Sequence, residues 1–170
     1  AARRASETTA ENALFNENLA ALNANDASGA AALIKEAAGS SRLRESILFE
    51  QAHYAAKRMA PQAAELLANF ITLAETPALK TQARLDQVEV ALNLNPPDLE
   101  TVQAILPLLE KEQLSPEQTM QLARLNILEE ESRQEWPSAI QSCRRAIALD
   151  SEGKQADMLY LKLGELLYKN

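Results

Sequence analysis

The chain has 170 residues, of which 46% are apolar, 24% are charged and 4% are aromatic, and its formal net charge is −7. Alanine and leucine contribute 31 and 27 residues, and both favour helices, whereas strands are enriched in β-branched and aromatic residues. The composition argues against a β-sandwich or barrel, and the apolar fraction is too high for a disordered chain. The acidic balance argues against DNA, RNA or an anionic membrane surface as the main partner.

Residue types that cap helix N-termini recur along the chain at a regular interval. Ser41, Thr76 and Ser115 each stand just before a stretch with helical apolar periodicity, and they are 35 and 39 residues apart. Ser115 also opens a complete capping box that ends at Gln118, with proline at the first helical position. We therefore predict that a helix begins after each of these three residues.

A second series of helix starts lies between the first. Pro61, Pro97 and Pro137 each open another apolar stretch at spacings of 36 and 40 residues, and Asp26 is the matching start 35 residues before Pro61. Two interleaved series with a common period of about 34–40 residues are typical of stacked helix-turn-helix units. The sequence thus predicts an all-α fold, a stack of antiparallel helix hairpins with about nine helices.

The predicted helices form four hairpins and a last helix that has no hairpin partner. Their expected ranges are 8–23, 27–38, 42–59, 61–74, 77–94, 97–111, 116–131, 137–149 and 154–168. Residues 1–7 are expected to be flexible, and residues 8–170 to form a single helical-repeat domain. Its units are expected near 8–40, 41–75, 76–113 and 114–152, followed by the terminal helix, 153–170. The start of the chain at Ala1, without Met, indicates a trimmed or expressed fragment.

The predicted helix 61–74 has two apolar stripes, Leu66-Phe70-Leu73 and Ala64-Leu67-Ile71-Ala74. A helix that is apolar on two sides must be covered on two sides, as in a layer inside a stack. Pro107 interrupts the predicted helix 97–111, where proline removes a backbone donor and predicts a bend near Leu106. We interpret this bend as a local irregularity in preference to a hinge.

The segment from Trp136 to Asp150 resembles the second helix of the tetratricopeptide family of helical repeats. Ala139 and Ala146 stand where that family places its small residues, and Cys143 occupies the bulky position between them. The remaining matches are Ala30, Ile34 and Ala37 in the first hairpin, and Tyr160 with Leu163-Gly164 in the last helix, which is similar to the family's aromatic position and Leu-Gly pair.

This resemblance covers most of the chain in its periodicity but only about the last 35 residues in its motif, because the four predicted first helices lack the family's glycine. It implies a degenerate tetratricopeptide-like α-solenoid, a right-handed stack of hairpins. In that family the first helices line an extended concave surface that binds peptides or partner helices.

The alanine-rich, acidic composition is also similar to that of tetratricopeptide-like periplasmic proteins attached to the bacterial inner membrane, including the ancillary subunit of the Sec translocon. This similarity implies a subunit of a bacterial envelope complex. It favours a periplasmic location over a cytoplasmic one, with any anchor absent from this fragment. No apolar run approaches the roughly 18 residues needed to cross a bilayer, so we expect no membrane span in the fragment itself.

The sequence offers no constellation of catalytic or metal-binding residues. His53 and Cys143 are the single histidine and the single cysteine, and residues several repeats apart do not touch in a linear stack. We interpret Cys143 as a buried structural residue, and the acidic run Glu129–Glu131 as solvated surface. Zinc would need several cysteine or histidine ligands. The chain is therefore predicted not to be an enzyme and to use no metal or cofactor.

Two surfaces are candidate sites for a partner. The first is the expected concave groove of the stack. Its candidate residues, the groove candidates, lie on one face of the predicted helix 42–59 and at the positions 36 residues later on the predicted helix 77–94. They are Phe49, His53, Lys57, Leu85, Glu89 and Asn93. The last helix is apolar on nearly all sides, and its candidate contact residues are Met158, Tyr160, Leu167 and Tyr168. A terminal repeat normally has a polar outer face. We therefore expect that this helix folds back as a cap, that it pairs with another chain, such as a second copy in a homo-oligomer, or that further repeats follow it in a longer protein.

Together these features favour a non-catalytic scaffold or adaptor that binds a peptide or partner protein on the concave face of a solenoid. The alternative is a helical domain that binds a small apolar ligand, such as a lipid, between the halves of the stack near Pro107. Such a ligand would need a lined cavity larger than about 300 Å³.

Overall fold

The described part of the chain is all-α. A computed structural model describes residues 2–150 and 153–170, together with their side chains except those of residues 2–8, 27 and 38. These residues form nine α-helices and one short 3₁₀ turn at Ala37–Gly39, and they contain no strand. The all-α prediction is therefore confirmed. The helices are α1 (Ala2–Asn23), α2 (Ala27–Glu36), α3 (Ser41–Lys57), α4 (Ala63–Leu73), α5 (Pro77–Leu92), α6 (Leu99–Leu109), α7 (Pro116–Ser132), α8 (Trp136–Leu149) and α9 (Ala156–Lys169).

The helix bounds agree with the predicted ranges to within two residues except at the start of the chain. There α1 begins at Ala2 instead of near residue 8, so the backbone of a segment that was expected to be flexible is helical. Residue 1 of that segment, and residues 151 and 152 of the fourth predicted unit, lie outside the described residues. Pro107 lies inside α6, which continues to Leu109.

Side-chain caps explain several helix starts. The Asp26 carboxylate accepts a hydrogen bond from the backbone N–H of Gly29 at 2.9 Å, and both hydrogen bonds of the Ser115 capping box are formed, as predicted. The prediction for Ser41 is wrong by one residue. Ser40 has extended backbone and its hydroxyl accepts from the N–H of Leu43, so Ser41 is the first residue of α3.

Three of the first helices end in the same turn. The residues that follow α1, α3 and α7 by two positions have left-handed backbone, and they are Asn25, Met59 and Gln134, with φ of 58°, 49° and 59°. In each turn the next N–H reaches back to a helix carbonyl five residues earlier, from Asp26 to Ala21, from Ala60 to Ala55 and from Glu135 to Glu130. This is the Schellman geometry, which satisfies carbonyls at a helix end. Three first helices thus end in one turn geometry, after which α2 and α8 begin two residues later and α4 begins four residues later.

The chain divides into two compact units, Ala1–Asp86 and Gln87–Asn170, with the boundary inside α5. In the first unit α1 packs against α2 and α3, and α3 packs against α4. The core of this unit includes Leu43 and Ile47 of α3, with Leu14 and Phe15 of α1 packed against them. The two faces of α3 are therefore covered by different helices.

In the second unit α8 packs between α7 and α9. Leu159 and Leu166 of α9 join a core cluster that also contains Ile140 and Cys143 of α8. The Cys143 thiol donates to the backbone oxygen of Leu159 at 3.3 Å, and burial raises its pKa. Cys143 is thus a buried core residue, as predicted.

The acidic run at the end of α7 is not solvated surface, so that interpretation is wrong. Glu129 is buried and pairs with Arg133 at 3.0 Å. Glu131 accepts hydrogen bonds from Lys162 at 3.3 Å and from Lys169 at 2.5 Å, both on α9. Burial opposes the charged form of Glu131, but the bonds from the two lysines outweigh it and lower its pKa. The run therefore fixes α9 to α7.

The turn after α3 allows a test of the left-handed backbone conformation of Met59. Met59 is exposed and left-handed, a conformation that costs an L-residue about 1–2 kcal/mol and glycine very little. We expect Met59→Gly to be more stable than Met59→Ala by about 1 kcal/mol, as measured by urea unfolding. Both variants lose the same side chain, so equal stabilities would contradict the left-handed geometry.

Candidate functional site

A buried carboxylate joins α3 to α5 in the first unit. The side chain of Asp86 has no exposed surface. His53 Nδ1 donates to Asp86 Oδ2 at 2.5 Å, and Gln82 Nε2 donates to Asp86 Oδ1 at 3.2 Å. Lys57 Nζ lies 3.7 Å from Oδ1. A buried charge is tolerated when polar groups replace its water, and these three side chains supply them. We call Asp86, His53, Lys57 and Gln82 the Asp86 cluster.

The imidazole of His53 is held on two sides. Its Nδ1 edge faces Asp86, and its ring stacks on that of Phe49 with centroids 5.4 Å apart and planes 19° apart. Phe49 is itself buried and tilts against Phe70 of α4, with centroids 5.5 Å apart. The packing of α3 against α4 therefore positions the imidazole ring of His53, which binds Asp86 of α5.

The environment of His53 favours its protonated form. The hydrogen bond to Asp86 is the largest effect and raises the pKa of His53, while burial and the charge of Lys57 act in the opposite direction. The charges of Asp86 and Glu50 add to the increase. A protonated histidine donates from both ring nitrogens, and the raised pKa extends that form of His53, whose side chain is 30% exposed, to higher pH.

A cleft of about 400 Å³ lies between the first helices of the first unit. Its lining comes from α1, α3 and α5, and includes Glu11, Phe15, Arg42, Phe49, Glu50 and Leu79. The lining combines aromatic and aliphatic side chains with two carboxylates and one guanidinium. We call this the α1–α3–α5 cleft. Phe49 belongs both to its wall and to the stack on His53.

A second cleft, of about 560 Å³, adjoins the first through Arg42, which lines both. It lies where α3 and α5 begin and α4 ends. There the Glu45 carboxylate accepts from the backbone N–H groups of Glu75 and Thr76 at 2.8 and 2.7 Å, and from the Thr76 hydroxyl at 2.7 Å. Thr76 precedes α5, as predicted, and its hydroxyl is used as a donor to α3.

The groove candidates fall into different places. Phe49, His53 and Lys57 lie together on α3, as their spacing implies. Leu85 has no exposed surface, so it belongs to the core and offers nothing to a partner in this conformation. Phe49 is nearly as buried, although it lines the α1–α3–α5 cleft.

The last two groove candidates belong to the second unit. Glu89 accepts from Gln121 Nε2 of α7 at 3.4 Å. Asn93 is exposed, and its side chain donates to the backbone oxygen of Glu89 at 2.8 Å. The four candidates on the terminal helix all have large exposed surfaces on α9, and they are Met158, Tyr160, Leu167 and Tyr168.

Sequence reasoning missed Asp86 and Gln82, the partners of His53. Asp86 lies 33 residues after His53, and a hydrogen bond of 2.9 Å joins Gln51 to Asn18 across the same separation. Gln121 and Glu89 are 32 residues apart. These separations are about one helical turn shorter than the 36-residue shift that relates the groove candidates on α3 and α5, so that shift pairs His53 with Glu89 and misses Asp86.

Among the residues that the structure describes, no group of three or more histidine, cysteine, aspartate or glutamate side chains is arranged to hold a metal ion. Over the same residues, no helix combines the length and apolar character that a membrane crossing requires. Comparison of the chain with protein-family models, with curated proteins and with solved structures found no match.

The Asp86 cluster predicts a specific titration. His53 is the single histidine, so its ring protons can be followed by NMR without overlap. We expect its pKa to lie above about 6.5, the ordinary histidine value. Asp86→Asn should lower it, because the charge and the charge-assisted hydrogen bond are lost while the burial remains. Glu50→Gln is the control and should change it less. Equal effects of the two substitutions would contradict the assignment of Asp86.

The same pair predicts how stability depends on pH. Since the pKa of His53 is raised in the folded chain, its contribution is fully present below the unfolded value near 6.5 and is lost as the pH rises through the folded value. We expect the free energy of unfolding to fall over that interval by more in the wild-type chain than in His53→Gln. Urea unfolding on both sides of the interval measures this difference. Parallel pH profiles for the two proteins would exclude the linkage.

Proposed function

We propose that this chain is a non-catalytic interaction scaffold, a tetratricopeptide-like solenoid that binds a peptide or partner protein on a surface built by its first helices. In that role it acts as an adaptor or as a subunit of a bacterial envelope complex. The apolar-ligand alternative stays a prediction.

Two repeated features support the solenoid. The first helices of three hairpins end in the same Schellman turn. Polar side chains on successive first helices are joined by hydrogen bonds across 32 or 33 residues, as between His53 and Asp86. Stacked helix pairs have contacts only between neighbours, and a constant separation is what such stacking produces.

The α1–α3–α5 cleft is the observation that carries the binding role. Its lining residues come from the first helices of three successive hairpins, and those helices line the concave surface of a tetratricopeptide-like stack. Its volume of about 400 Å³ lies within the usual range of about 300–1,000 Å³ for ligand sites. An apolar lining with a few charged groups is the usual anatomy of a binding pocket.

The lining indicates the chemistry of the partner. Phe15, Phe49 and Leu79 favour an aliphatic or aromatic anchor side chain, and the carboxylates of Glu11 and Glu50 favour a neighbouring lysine or arginine. The net charge of −7 adds long-range attraction for a basic segment. We therefore propose a peptide segment with an apolar anchor flanked by basic residues.

Selection from a random peptide display library against the whole chain tests this function. We expect enriched peptides to share an apolar anchor with adjacent basic residues. Glu11→Lys combined with Glu50→Lys should weaken their binding by about tenfold or more, as measured by fluorescence anisotropy, because the charge of the lining is reversed. The matched control is Glu65→Lys combined with Glu100→Lys, two exposed carboxylates outside the cleft lining. Failure to enrich any peptide, or equal losses in the two double variants, would contradict the proposal.

A further inference from the structure

The outer face of α9 has an apolar stripe that the core does not use. Leu159 and Leu166 point into the core of the second unit. On the opposite side Tyr160, Leu161, Leu167 and Tyr168 are 59%, 67%, 50% and 93% exposed. Gly164, also exposed, lies in the middle of these four residues. Their spacing, i, i+1, i+4, i+7 and i+8, places all five on one face of the helix. We call these five residues the α9 stripe.

The residue types of the α9 stripe are symmetric about Gly164. Three and four residues before Gly164 stand Leu161 and Tyr160, and three and four residues after it stand Leu167 and Tyr168. An interface between identical chains across a two-fold axis must be self-complementary, because the same patch serves on both sides. A stripe with this internal symmetry meets that requirement. Space around Gly164 is open, with no atom within 4 Å of where a Cβ would stand.

We infer that two copies of this chain pair through the α9 stripe, with the two helices antiparallel and crossing at Gly164. In that arrangement Tyr160 lies opposite Leu167 of the second copy, and Leu161 lies opposite Tyr168 of the second copy. The missing side chains at Gly164 let the two helix axes approach toward the short end of the usual range of about 8–10 Å. The inference goes beyond the proposed function, since it concerns the second unit and needs no occupant in the cleft.

Charge selects the antiparallel orientation over the parallel one. Asp157, in the first turn of α9, is exposed and lies on the same side as the α9 stripe, one heptad before Gly164. Parallel helices would place the two Asp157 carboxylates directly against each other, which is unfavourable. Antiparallel helices separate them to opposite ends of the interface. They also oppose the two helix dipoles, which is the favourable arrangement.

The area of the α9 stripe is what a small, reversible dimer needs. A fully exposed side chain of these sizes presents on the order of 200 Å², so the four exposed fractions amount to about 500 Å² per copy and about 1,000 Å² per dimer. Specific interfaces begin near that size, and those at the lower end are weak or transient. A patch of about 500 Å² lies in the upper part of the range of about 300–600 Å² for the largest apolar patch on a monomer, and such patches are often functional.

Analytical ultracentrifugation of the whole chain from low micromolar to near-millimolar concentration tests the inference. We expect the mass to rise from one chain of 18.6 kDa toward two. Leu161→Glu and Tyr168→Lys, each alone, should weaken dimerisation by at least about tenfold. The matched control is Leu149→Glu, the same change at an exposed leucine of α8, which should leave the dimer intact. A monomer at every concentration would overturn the inference, as would a dimer that survives both single substitutions.

Mixing the two single variants tests the orientation. In the antiparallel dimer Glu at position 161 faces Lys at position 168 of the other chain, while the remaining Leu161 and Tyr168 pair as before. We therefore expect an equimolar mixture to recover dimerisation that neither variant shows alone. In a parallel dimer positions 161 and 168 do not meet, so failure of the mixture to recover would overturn the antiparallel arrangement. Circular dichroism of each variant establishes that its helices are retained.

Discussion

The hydrogen bond between Asp86 and His53 connects the packing of the first unit to its candidate binding surface. A carboxylate without exposed surface is unfavourable unless other polar groups replace its water, and His53, Gln82 and Lys57 do so from two helices. Because Nδ1 of His53 is committed to Asp86, the orientation of the imidazole is fixed. The ring of Phe49 stacks on it and forms part of the α1–α3–α5 cleft. The position of one lining residue of the cleft, Phe49, therefore depends on the hydrogen-bonded pair next to it.

A buried pair of this kind contributes more to the choice of one packing register between helices than to the stability of the fold. Replacing a buried ion pair by apolar side chains is often neutral or stabilising, but removing one partner is costly because the other charge stays buried. Apolar faces rich in alanine pack in several registers with similar energy. A carboxylate that must meet a histidine on the preceding first helix fits only one of them. The bonds from Gln51 to Asn18 and from Gln121 to Glu89 impose the same condition at other pairs of first helices.

The parts of the fold that depend on local chemistry could be predicted from the sequence. Asp26 and Ser115 cap helices because their side chains accept from N–H groups only three residues away, so the signal lies within a single turn. The Schellman turns at the ends of α3 and α7 were harder to predict. Such a turn is usually marked by glycine, and here the left-handed residues are Met59 and Gln134.

Properties that depend on neighbouring helices could not be read from one helix. The run Glu129–Glu131 has the composition of a solvated surface, and only the lysines of α9, some thirty residues later, give Glu131 its partners. Leu85 was assigned to a surface by shifting α3 one repeat onto α5, but its side chain has no exposed surface. The candidate site was predicted on α3, while Asp86, which organises it, was missed because a lone aspartate in a helix carries no local signal of burial.

The two proposed surfaces have a joint consequence. The α1–α3–α5 cleft belongs to the first unit and the α9 stripe to the second, so pairing through α9 uses none of the residues that line the cleft. A dimer then carries two clefts, and a partner with two anchor segments gains from the raised effective concentration of the second one. A weak interface between copies is sufficient for this, because occupation of both clefts by one partner would itself favour the dimer. The binding curve of a divalent partner should accordingly rise more steeply with partner concentration than that of a single segment. Leu161→Glu should remove this difference in steepness and leave the affinity for a single segment unchanged.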